Sequence, residues 1–359
     1  MAVELLPTGD LLELGTRYQN GAEPRCYLRR RDPGGAWGQG DYLQVLPGVR
    51  CEATDLAVDE NGGIHVLAQR GGGGGDEGVW WLGSIATWGA APETRGLGSK
   101  DEQANALAEL DGTLVVCGAT PSGFGDLDLM LRTYRPKLPG EPKVLDYLPP
   151  ELFMHDFSET AHGCIFRDET SVVVVGDVFG DHDKFGEELT TRRFSLVYDP
   201  QSNSVDEHPF AVHEPGLGQP AQSFARAVTI GDLGDAIITG YSCLKTCSKG
   251  TYEGMLWVEN QWGGLMNEIS LGYVPLENYT PSAVAWHPAH YAIVASGGPG
   301  DEFLLRAYKP FSDKVFWSFA KASVGALQIA RAVTVGRFGQ VYGAGIGANF
   351  YPAIAYVGG

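Results

Sequence analysis

The sequence predicts an all-β fold that is assembled from repeats. One short phrase recurs along the chain: a small residue, a variable residue, a second small residue and then a hydrophobic one. It occupies residues 55–58, 104–107, 161–164, 225–228, 283–286 and 330–333. Each copy is followed by a β-rich hydrophobic run, and residues 1–4 fit a further copy at the same interval. Repeats of about 50 residues with several short strands each are typical of β-propellers, so we predict a seven-bladed β-propeller.

The repeats make the whole chain a single domain, residues 1–359. Length alone would favour two or more domains, but blades around one axis form one unit. We place the blades at about residues 1–51, 52–101, 102–158, 159–222, 223–280, 281–327 and 328–359. The last repeat lacks an obvious fourth strand. We therefore expect either further native residues beyond the termini or a natural three-stranded last blade.

The third repeat shows how each blade is built from four predicted strands. Residues 104–109 form the inner strand, where small side chains let neighbouring blades crowd together at the hub. Asp111 and Gly112 suit a tight hairpin turn, and the hydrophobic run 113–118 suits a strand that is packed on both faces. Residues 127–134 alternate as a third strand, and residues 144–148 are the predicted outer strand.

The repeat pattern resembles that of bacterial secreted seven-bladed β-propellers. It reads Ala-x-Ala-Val, Asp-Gly, Val-Val-x-Gly, a loop with Asp, a strand and then Tyr-x-Pro, as at residues 134–136. The Trp-Asp signature of WD40 blades, the paired glycines of kelch blades and the Asp-box of sialidases are missing from the sequence. The resemblance implies the propeller fold in an exported protein, and it implies no particular ligand.

The charge balance argues against two classes of partner. The formal net charge is −18 at pH 7, so the phosphates of nucleic acids and of anionic membranes would be repelled. No stretch approaches the roughly 18 apolar residues of a membrane-spanning helix. We therefore predict no nucleic-acid partner, no membrane insertion and a monomer.

The six cysteines differ in their surroundings. Cys243 and Cys247 lie four apart in a predicted loop, and we expect them to form a disulfide. Cys117 and Cys164 lie in predicted core strands and are expected to be buried thiols. Cys26 and Cys51 belong to the first two repeats and could pair, but the sequence does not assign them. A disulfide would place the protein in the periplasm, at the cell surface or outside the cell.

The variable residue of the inner phrase supplies the best candidate ligand-binding residues. These are Asn105, His162, Arg226 and Arg331. Inner strands border the axial channel of a propeller, so the four side chains would converge near one axis. Two guanidiniums and an imidazole would suit a carboxylate or phosphate ligand. Alternatively, these side chains point between blades and pair with acids, for which the candidates are Asp156, Glu159 and Asp232.

Metal sites are the weaker candidates. Acidic, Gly-rich loops recur at residues 75–77, 125–128, 180–183 and 300–302. Alternating carboxylates can supply the oxygen ligands of calcium, but hydrogen bonds from turn amides to Asp explain the recurrence equally well. His287 and His290 lie at a predicted turn without a third ligand, so we expect them to be solvated. We predict no cofactor, with calcium as the alternative.

The sequence is compatible with two classes of function. The first is a non-enzymatic module that binds a protein, a glycan or a small anionic ligand at a propeller face or at the channel mouth. The second is an enzyme, such as a hydrolase or a lyase, with His162, Arg226 and Arg331 at the channel. No nucleophile motif such as Gly-x-Ser-x-Gly accompanies these residues, so we favour the binding module.

Overall fold

Every regular element in the described part of the chain is a β-strand. The structure, a computed structural model, describes residues 1–17, 23–31, 41–71, 78–122, 126–135, 157–180, 190–205, 211–212, 221–244, 252–274, 280–298, 302–312, 314–321, 329–346 and 352–357. Within each repeat, consecutive strands pair antiparallel, and together they form a ring of meanders. The chain is therefore an all-β propeller.

The first three sheets contain strands β1 to β11. The first holds β1 Ala2–Leu5, β2 Leu11–Arg17, β3 Arg25–Arg31 and β4 Asp41–Gln44. The second holds β5 Arg50–Val58, β6 Ile64–Gly71, β7 Val79–Ile85 and β8 Glu93–Leu97. The third holds β9 Gln103–Leu110, β10 Thr113–Pro121 and β11 Leu127–Tyr134. The predicted outer strand at 144–148 lies outside the described residues.

Strands β12 to β27 form the other three sheets. The fourth holds β12 Phe157–Phe166, β13 Val172–Gly180, β14 Thr190–Asp199, β15 Ser204–Val205 and β16 Ala211–Val212. The fifth holds β17 Ala221–Ile230, β18 Ala236–Leu244, β19 Tyr252–Glu259 and β20 Leu265–Val274. The sixth holds β21 Ala283–His287, β22 Tyr291–Gly298, β23 Glu302–Tyr308, β24 Val315–Lys321, β25 Ile329–Val335, β26 Val341–Ile346 and β27 Pro352–Val357.

The prediction of seven separate blades is wrong, because the described strands form six hydrogen-bonded sheets. The difference arises at the end of the chain. Gly297 on β22 pairs with Ile329 on β25, which joins the strands of the last two sequence repeats into one seven-stranded sheet. By sheet count the propeller has six blades, and its sixth blade carries two repeats.

The hydrophobic core lies between neighbouring repeats around the ring. The innermost strand of each repeat packs beside that of the next, and β1 packs beside β25, so the first and last repeats meet. One buried cluster, for example, joins Leu12 and Leu28 of the first repeat to Val66 and Trp81 of the second. Another joins Val3 of the first repeat to Tyr342 of the last repeat, where the ring closes. Because strands pack on both faces, their sequences read as continuous hydrophobic runs rather than alternating ones.

A β-bulge explains why small residues flank the variable one in the inner phrase. The register shifts at Asn105, His162, Arg226 and Arg331, and each of these is the extra residue of a bulge. The second strand carries a glycine opposite the bulge. At Gly240, an added Cβ would lie 1.9 Å from the carbonyl oxygen of Phe224. The Val-Val-x-Gly motif is thus the steric complement of the bulge.

Two disulfides cross-link neighbouring repeats. Cys26 on β3 is bonded to Cys51 on β5, with a Cα–Cα distance of 5.5 Å. Cys117 on β10 is bonded to Cys164 on β12, at 6.5 Å, so the prediction that these two are buried thiols is wrong. Cys243 is disulfide-bonded as well, and Cys247, its predicted partner, lies outside the described residues.

Buried ion pairs form a second type of link between repeats. Glu102 accepts two hydrogen bonds from the Arg132 guanidinium, at 2.6 and 2.9 Å, and a third from the Trp80 indole of the preceding repeat. Likewise Arg193 on β14 pairs with Glu259 on β19. Each carboxylate is almost fully buried, and its hydrogen bonds offset the cost of burying its charge.

Candidate functional site

The structure brings two of the four predicted binding residues into contact. His162 Nε2 lies 2.9 Å from Arg226 Nη1 and 2.9 Å from Asp177 Oδ2. Arg226 also donates to Asp177 Oδ2 at 3.2 Å and, through Nη2, to the Tyr241 hydroxyl at 2.9 Å. This group of four side chains, His162, Asp177, Arg226 and Tyr241, is called the inner polar cluster below.

The inner polar cluster is held by backbone and aromatic contacts. The Ala225 amide donates to Asp177 Oδ1 at 2.9 Å, which ties β13 to β17. The Arg226 guanidinium lies over the rings of Phe224 and Tyr241, at 5.6 and 5.2 Å from their centroids. Within the cluster, the Asp177 carboxylate offsets the charge of the Arg226 guanidinium.

The other two predicted residues occupy the same bulge on other strands. Asn105 Nδ2 donates to the carbonyl oxygen of Ala161 at 2.8 Å, which links β9 to β12. Arg331 is the bulged residue of β25. At Asn105 and Arg226 the bulged residue thus contacts the neighbouring inner strand.

The acid that pairs with Arg226 and His162 is Asp177, which the sequence reasoning missed. Of the three acids considered there, Asp156 lies outside the described residues. Glu159 is buried, and burial together with the neighbouring Asp128 and Asp126 raises its pKa to about 8. Asp232 accepts hydrogen bonds from the Trp286 indole and pairs with exposed His290.

His287 does not lie in solvent as predicted. Its side chain is buried, and Nε2 lies 2.8 Å from the carbonyl oxygen of Gly339 and 3.1 Å from the Tyr291 hydroxyl. The turn of the neighbouring repeat covers it, an arrangement that a local sequence pattern does not reveal. His290, three residues on, is exposed as predicted.

The turn face of the propeller carries a second candidate surface. We define the hairpin face by the turns that join first to second and third to fourth strands, at residues 6–10, 59–63, 231–235, 260–264, 309–312 and 336–340. Arg167, which follows β12, donates to the carbonyl oxygen of Gln261 between β19 and β20 at 2.9 Å. Both kinds of turn therefore lie on one face.

Large apolar side chains project from four of these turns. Each is the third residue of a four-residue turn that a backbone hydrogen bond closes. They are Leu233, Trp262, Phe311 and Phe338, exposed by 81%, 69%, 60% and 71%. We call them the apical residues. In the equivalent turns of the first two repeats the third residue is Thr8 or Asn61, so the apolar apices belong to one side of the ring.

More exposed apolar side chains extend the patch along the outer strands that follow these turns. They are Leu265, Met266, Val315 and Phe316. Exposed apolar side chains that lie together on a protein surface are candidates for an interaction site. Sequence reasoning missed it, although a large apolar residue stands directly before the turn glycine at Leu233, Trp262 and Phe338.

An open cleft of about 800 Å³ adjoins Phe338 where the first, second and last repeats meet. Its lining includes Glu4, Asp59, Glu60, Thr334 and Arg337. Burial, and then the nearby Asp55 carboxylate, raises the pKa of Glu4 to about 7. Burial likewise raises the pKa of Asp55 to about 6. Burial therefore disfavours the charged form of both carboxyl groups.

Among the described residues, no group of three His, Cys, Asp or Glu side chains is arranged to hold a metal ion. Of the acidic loops, residues 126–128 and Glu302 are described, whereas 75–77, 125, 181–183 and 300–301 lie outside the described part. Calcium binding stays the alternative to the prediction of no cofactor at those loops.

Comparison with known proteins supports the fold alone. No protein-family model matches the chain, and no curated protein matches its sequence. A chain in the crystal structure of the mitotic checkpoint complex superposes with a TM-score of 0.58 at 9% identity, covering 100% of this chain and 89% of that one. Raptor of Chaetomium thermophilum gives 0.56 at 10% identity, with 100% of this chain and 28% of that one covered. A proposed 6-phosphogluconolactonase of Bacteroides uniformis gives 0.53 at 12%, covering 97% and 99%.

The disulfides also bear on location. The Cys26–Cys51 and Cys117–Cys164 bonds indicate an oxidising, extracellular environment. In the part of the chain that the structure describes, no helix is long and apolar enough to cross a membrane.

Proposed function

We propose that this β-propeller is a secreted or cell-surface binding module without catalytic activity, and that it holds a polypeptide on its hairpin face. The observation that carries the proposal is the row of apical residues, Leu233, Trp262, Phe311 and Phe338, in the same position of four turns. Exposed apolar area of this kind gains about 25 cal/mol per Å² when a partner covers it. Polar residues at the equivalent position in the first repeats show that the turn itself does not require apolar apices.

A polypeptide fits this surface better than a glycan. Sugars stack on flat aromatic rings, whereas the apical residues include Leu233, and the neighbouring Leu265 and Met266 are aliphatic too. Mixed aliphatic and aromatic side chains are typical of protein interfaces.

The inner polar cluster supports a structural role more than a catalytic one. Asp177 uses both carboxylate oxygens, and Arg226 uses both terminal nitrogens, in contacts within the ring. A catalytic base needs access to the proton of a substrate. The alternative function, a hydrolase or lyase at the channel, would instead require His162 to be free to act on a ligand.

Selection from a displayed random dodecapeptide library tests the proposal. The wild-type protein is the bait, and each selected peptide is then titrated against two variants. The apical variant combines Leu233→Ser, Trp262→Ser, Phe311→Ser and Phe338→Ser. The control variant carries Thr8→Ala and Asn61→Ala at the equivalent turn position of other repeats. We expect the apical variant to lose at least about tenfold in affinity, or 1.4 kcal/mol, and the control to bind as the wild type does.

Two further arms decide between classes of ligand. A glycan array and sedimentation with phosphatidylcholine vesicles are run on the same three proteins. Binding to either that disappears in the apical variant would assign the hairpin face to sugar or lipid and overturn the polypeptide proposal. Peptides that bind both variants equally, or a turnover that His162→Ala abolishes, would also overturn it.

A further inference from the structure

The cleft beside Phe338 joins two surfaces of different chemistry. Its rim carries the carboxylates of Glu4, Asp59 and Glu60. Its outer wall is the ring of Phe338, which is 71% exposed and is itself one of the apical residues. A single bound segment could therefore cover the apolar patch and reach the acidic cleft.

The carboxylates of this cleft come from different repeats. Glu4 lies on β1 in the first repeat and accepts a hydrogen bond from the Thr334 hydroxyl of the last repeat at 3.3 Å. Asp59 and Glu60 belong to the turn after β5 in the second repeat. Asp59 accepts hydrogen bonds from the amides of Asn61 and Gly63 through Oδ1, and its Oδ2 lies 3.5 Å from His65 Nε2, which leaves Glu4 and Glu60 as the main carboxylates for a cation. A cation in the cleft would interact favourably with the carboxylates of Glu4 and Glu60.

A cationic side chain of the protein itself contacts the Phe338 ring. Among the described residues that line the cleft, Arg337 is the basic one, and its guanidinium lies 4.6 Å from the centroid of the Phe338 ring. This contact shows that the ring face is accessible to a guanidinium in a cation–π arrangement. It also means that Arg337 competes with any cation that enters from outside.

We infer that the cleft binds the ammonium or guanidinium group of a Lys or Arg side chain from the polypeptide that the hairpin face holds. The inference rests on the proposed function and names the chemistry of the partner. Complementary charge agrees with the net charge of −18, which would steer a basic segment to this protein. Apolar residues next to the Lys or Arg would then cover Phe338.

Small capped dipeptides test the cleft without a selected partner. The cationic probes are Ac-Phe-Lys-NH₂ and Ac-Phe-Arg-NH₂. The neutral matches replace Lys by norleucine and Arg by citrulline, and Ac-Phe-Glu-NH₂ is the anionic match. Each is titrated at pH 8 into isotopically labelled protein, and the amide signals of residues 59–63 and 336–340 are followed by NMR.

We expect the cationic probes to bind at least about tenfold more tightly than their neutral matches. Glu60→Gln and Glu4→Gln should each weaken the cationic probes and leave the neutral ones unchanged. Glu169→Gln, at an exposed carboxylate on a turn of the fourth repeat, is the matched control and should change nothing. Arg337→Gln should tighten the cationic probes, because it removes the competing charge. A melting curve of each variant confirms that it is folded.

Several results would overturn the inference. They are equal affinity for cationic and neutral probes, tighter binding of the anionic probe, or no shift at millimolar concentration of any probe. Failure of the proposed function can be distinguished from failure of this inference. Leu233→Ser with Trp262→Ser removes apical residues outside the cleft and should leave dipeptide binding intact. If the selected peptides bind the apical variant as tightly as the wild type, and the dipeptides still bind normally, the proposed polypeptide surface is rejected. The cation site is then retained.

Discussion

Glu159 on β12 is a buried acid whose charge opposes folding. It is 5% exposed, and burial followed by the Asp128 and Asp126 carboxylates raises its pKa to about 8, above the ordinary value of 4.5. Between these two values the folded protein binds a proton that the unfolded chain releases. The contribution of Glu159 to stability is therefore complete at low pH and is lost as the pH rises toward about 8.

Glu159→Gln should remove this dependence, since an amide keeps the shape of the protonated acid. We expect little change in the free energy of unfolding at pH 5 and stabilisation by roughly 2–4 kcal/mol at pH 9. Urea titrations at both values measure it, with Glu169→Gln as the exposed control. An equal effect at the two pH values would show that Glu159 does not carry a shifted pKa.

Gly240 is required by the bulge at Arg226. An added Cβ would meet the Phe224 carbonyl oxygen at 1.9 Å, and that atom belongs to the backbone of the paired strand. We expect Gly240→Ala to destabilise the fold by roughly 2–4 kcal/mol, because the ladder must shift. Gly231→Ala is the control, since its nearest neighbour is the flexible end of Ile237 at 3.3 Å. Thermal melts of both variants measure the difference, and equal melting temperatures would contradict the steric argument.

Among the elements, β10 and β12 are joined by the Cys117–Cys164 disulfide. A cross-link over 47 residues restricts the unfolded chain, so the double change Cys117→Ala with Cys164→Ala should cost about 2–4 kcal/mol. Urea titration under oxidising conditions measures this loss. Under strong reductant, which also breaks the Cys26–Cys51 bond, the wild type and the variant should have nearly the same stability. A variant as stable as the oxidised wild type would show that the bond does not restrict the unfolded chain.

The strands themselves were largely predictable from the sequence. The third strand of the third repeat was predicted at 127–134 and is β11, with those bounds. The inner strand was placed at 104–109 and spans 103–110. In the second repeat the variable position was assigned to Leu56, whereas the register shift lies between Ala53 and Asp55. Residues 53–56 and 55–58 both fit the small-variable-small pattern, and local composition cannot choose between them.

Contacts between repeats were harder to predict than strands. The sequence predicted Cys117 and Cys164 as buried thiols, because each stands in a hydrophobic run, but their pairing depends on how β10 faces β12. Asp177 was missed for the same reason: it lies beyond the glycine of a second strand and reaches Arg226 of the next repeat. The shared position of His162 and Arg226 in the repeated phrase suggested that they lie near each other, but it did not identify their shared acid.

At the scale of the whole molecule, the sheet count departs from the repeat count through one pairing, Gly297 with Ile329. These residues belong to different repeats, and neither the phrase nor its spacing distinguishes this junction from the others. The periodicity therefore predicts the propeller and its all-β character. It does not predict which strands of neighbouring repeats share a ladder.

The whole molecule combines a large negative charge with an apolar patch, and these act in opposite directions on self-association. A net charge of −18 keeps copies apart at low ionic strength, whereas the apical residues favour contact between them. Screening shortens the range of the repulsion from about 30 Å at 0.01 M salt to about 3 Å at 1 M salt.

We expect sedimentation velocity to show a monomer in dilute buffer and a concentration-dependent dimer fraction in 1 M NaCl. The apical variant should stay monomeric in both, and the Thr8→Ala, Asn61→Ala control should follow the wild type. If association in high salt persists in the apical variant, the surface that causes self-association lies elsewhere on the ring. The attraction between copies would then not come from the hairpin face.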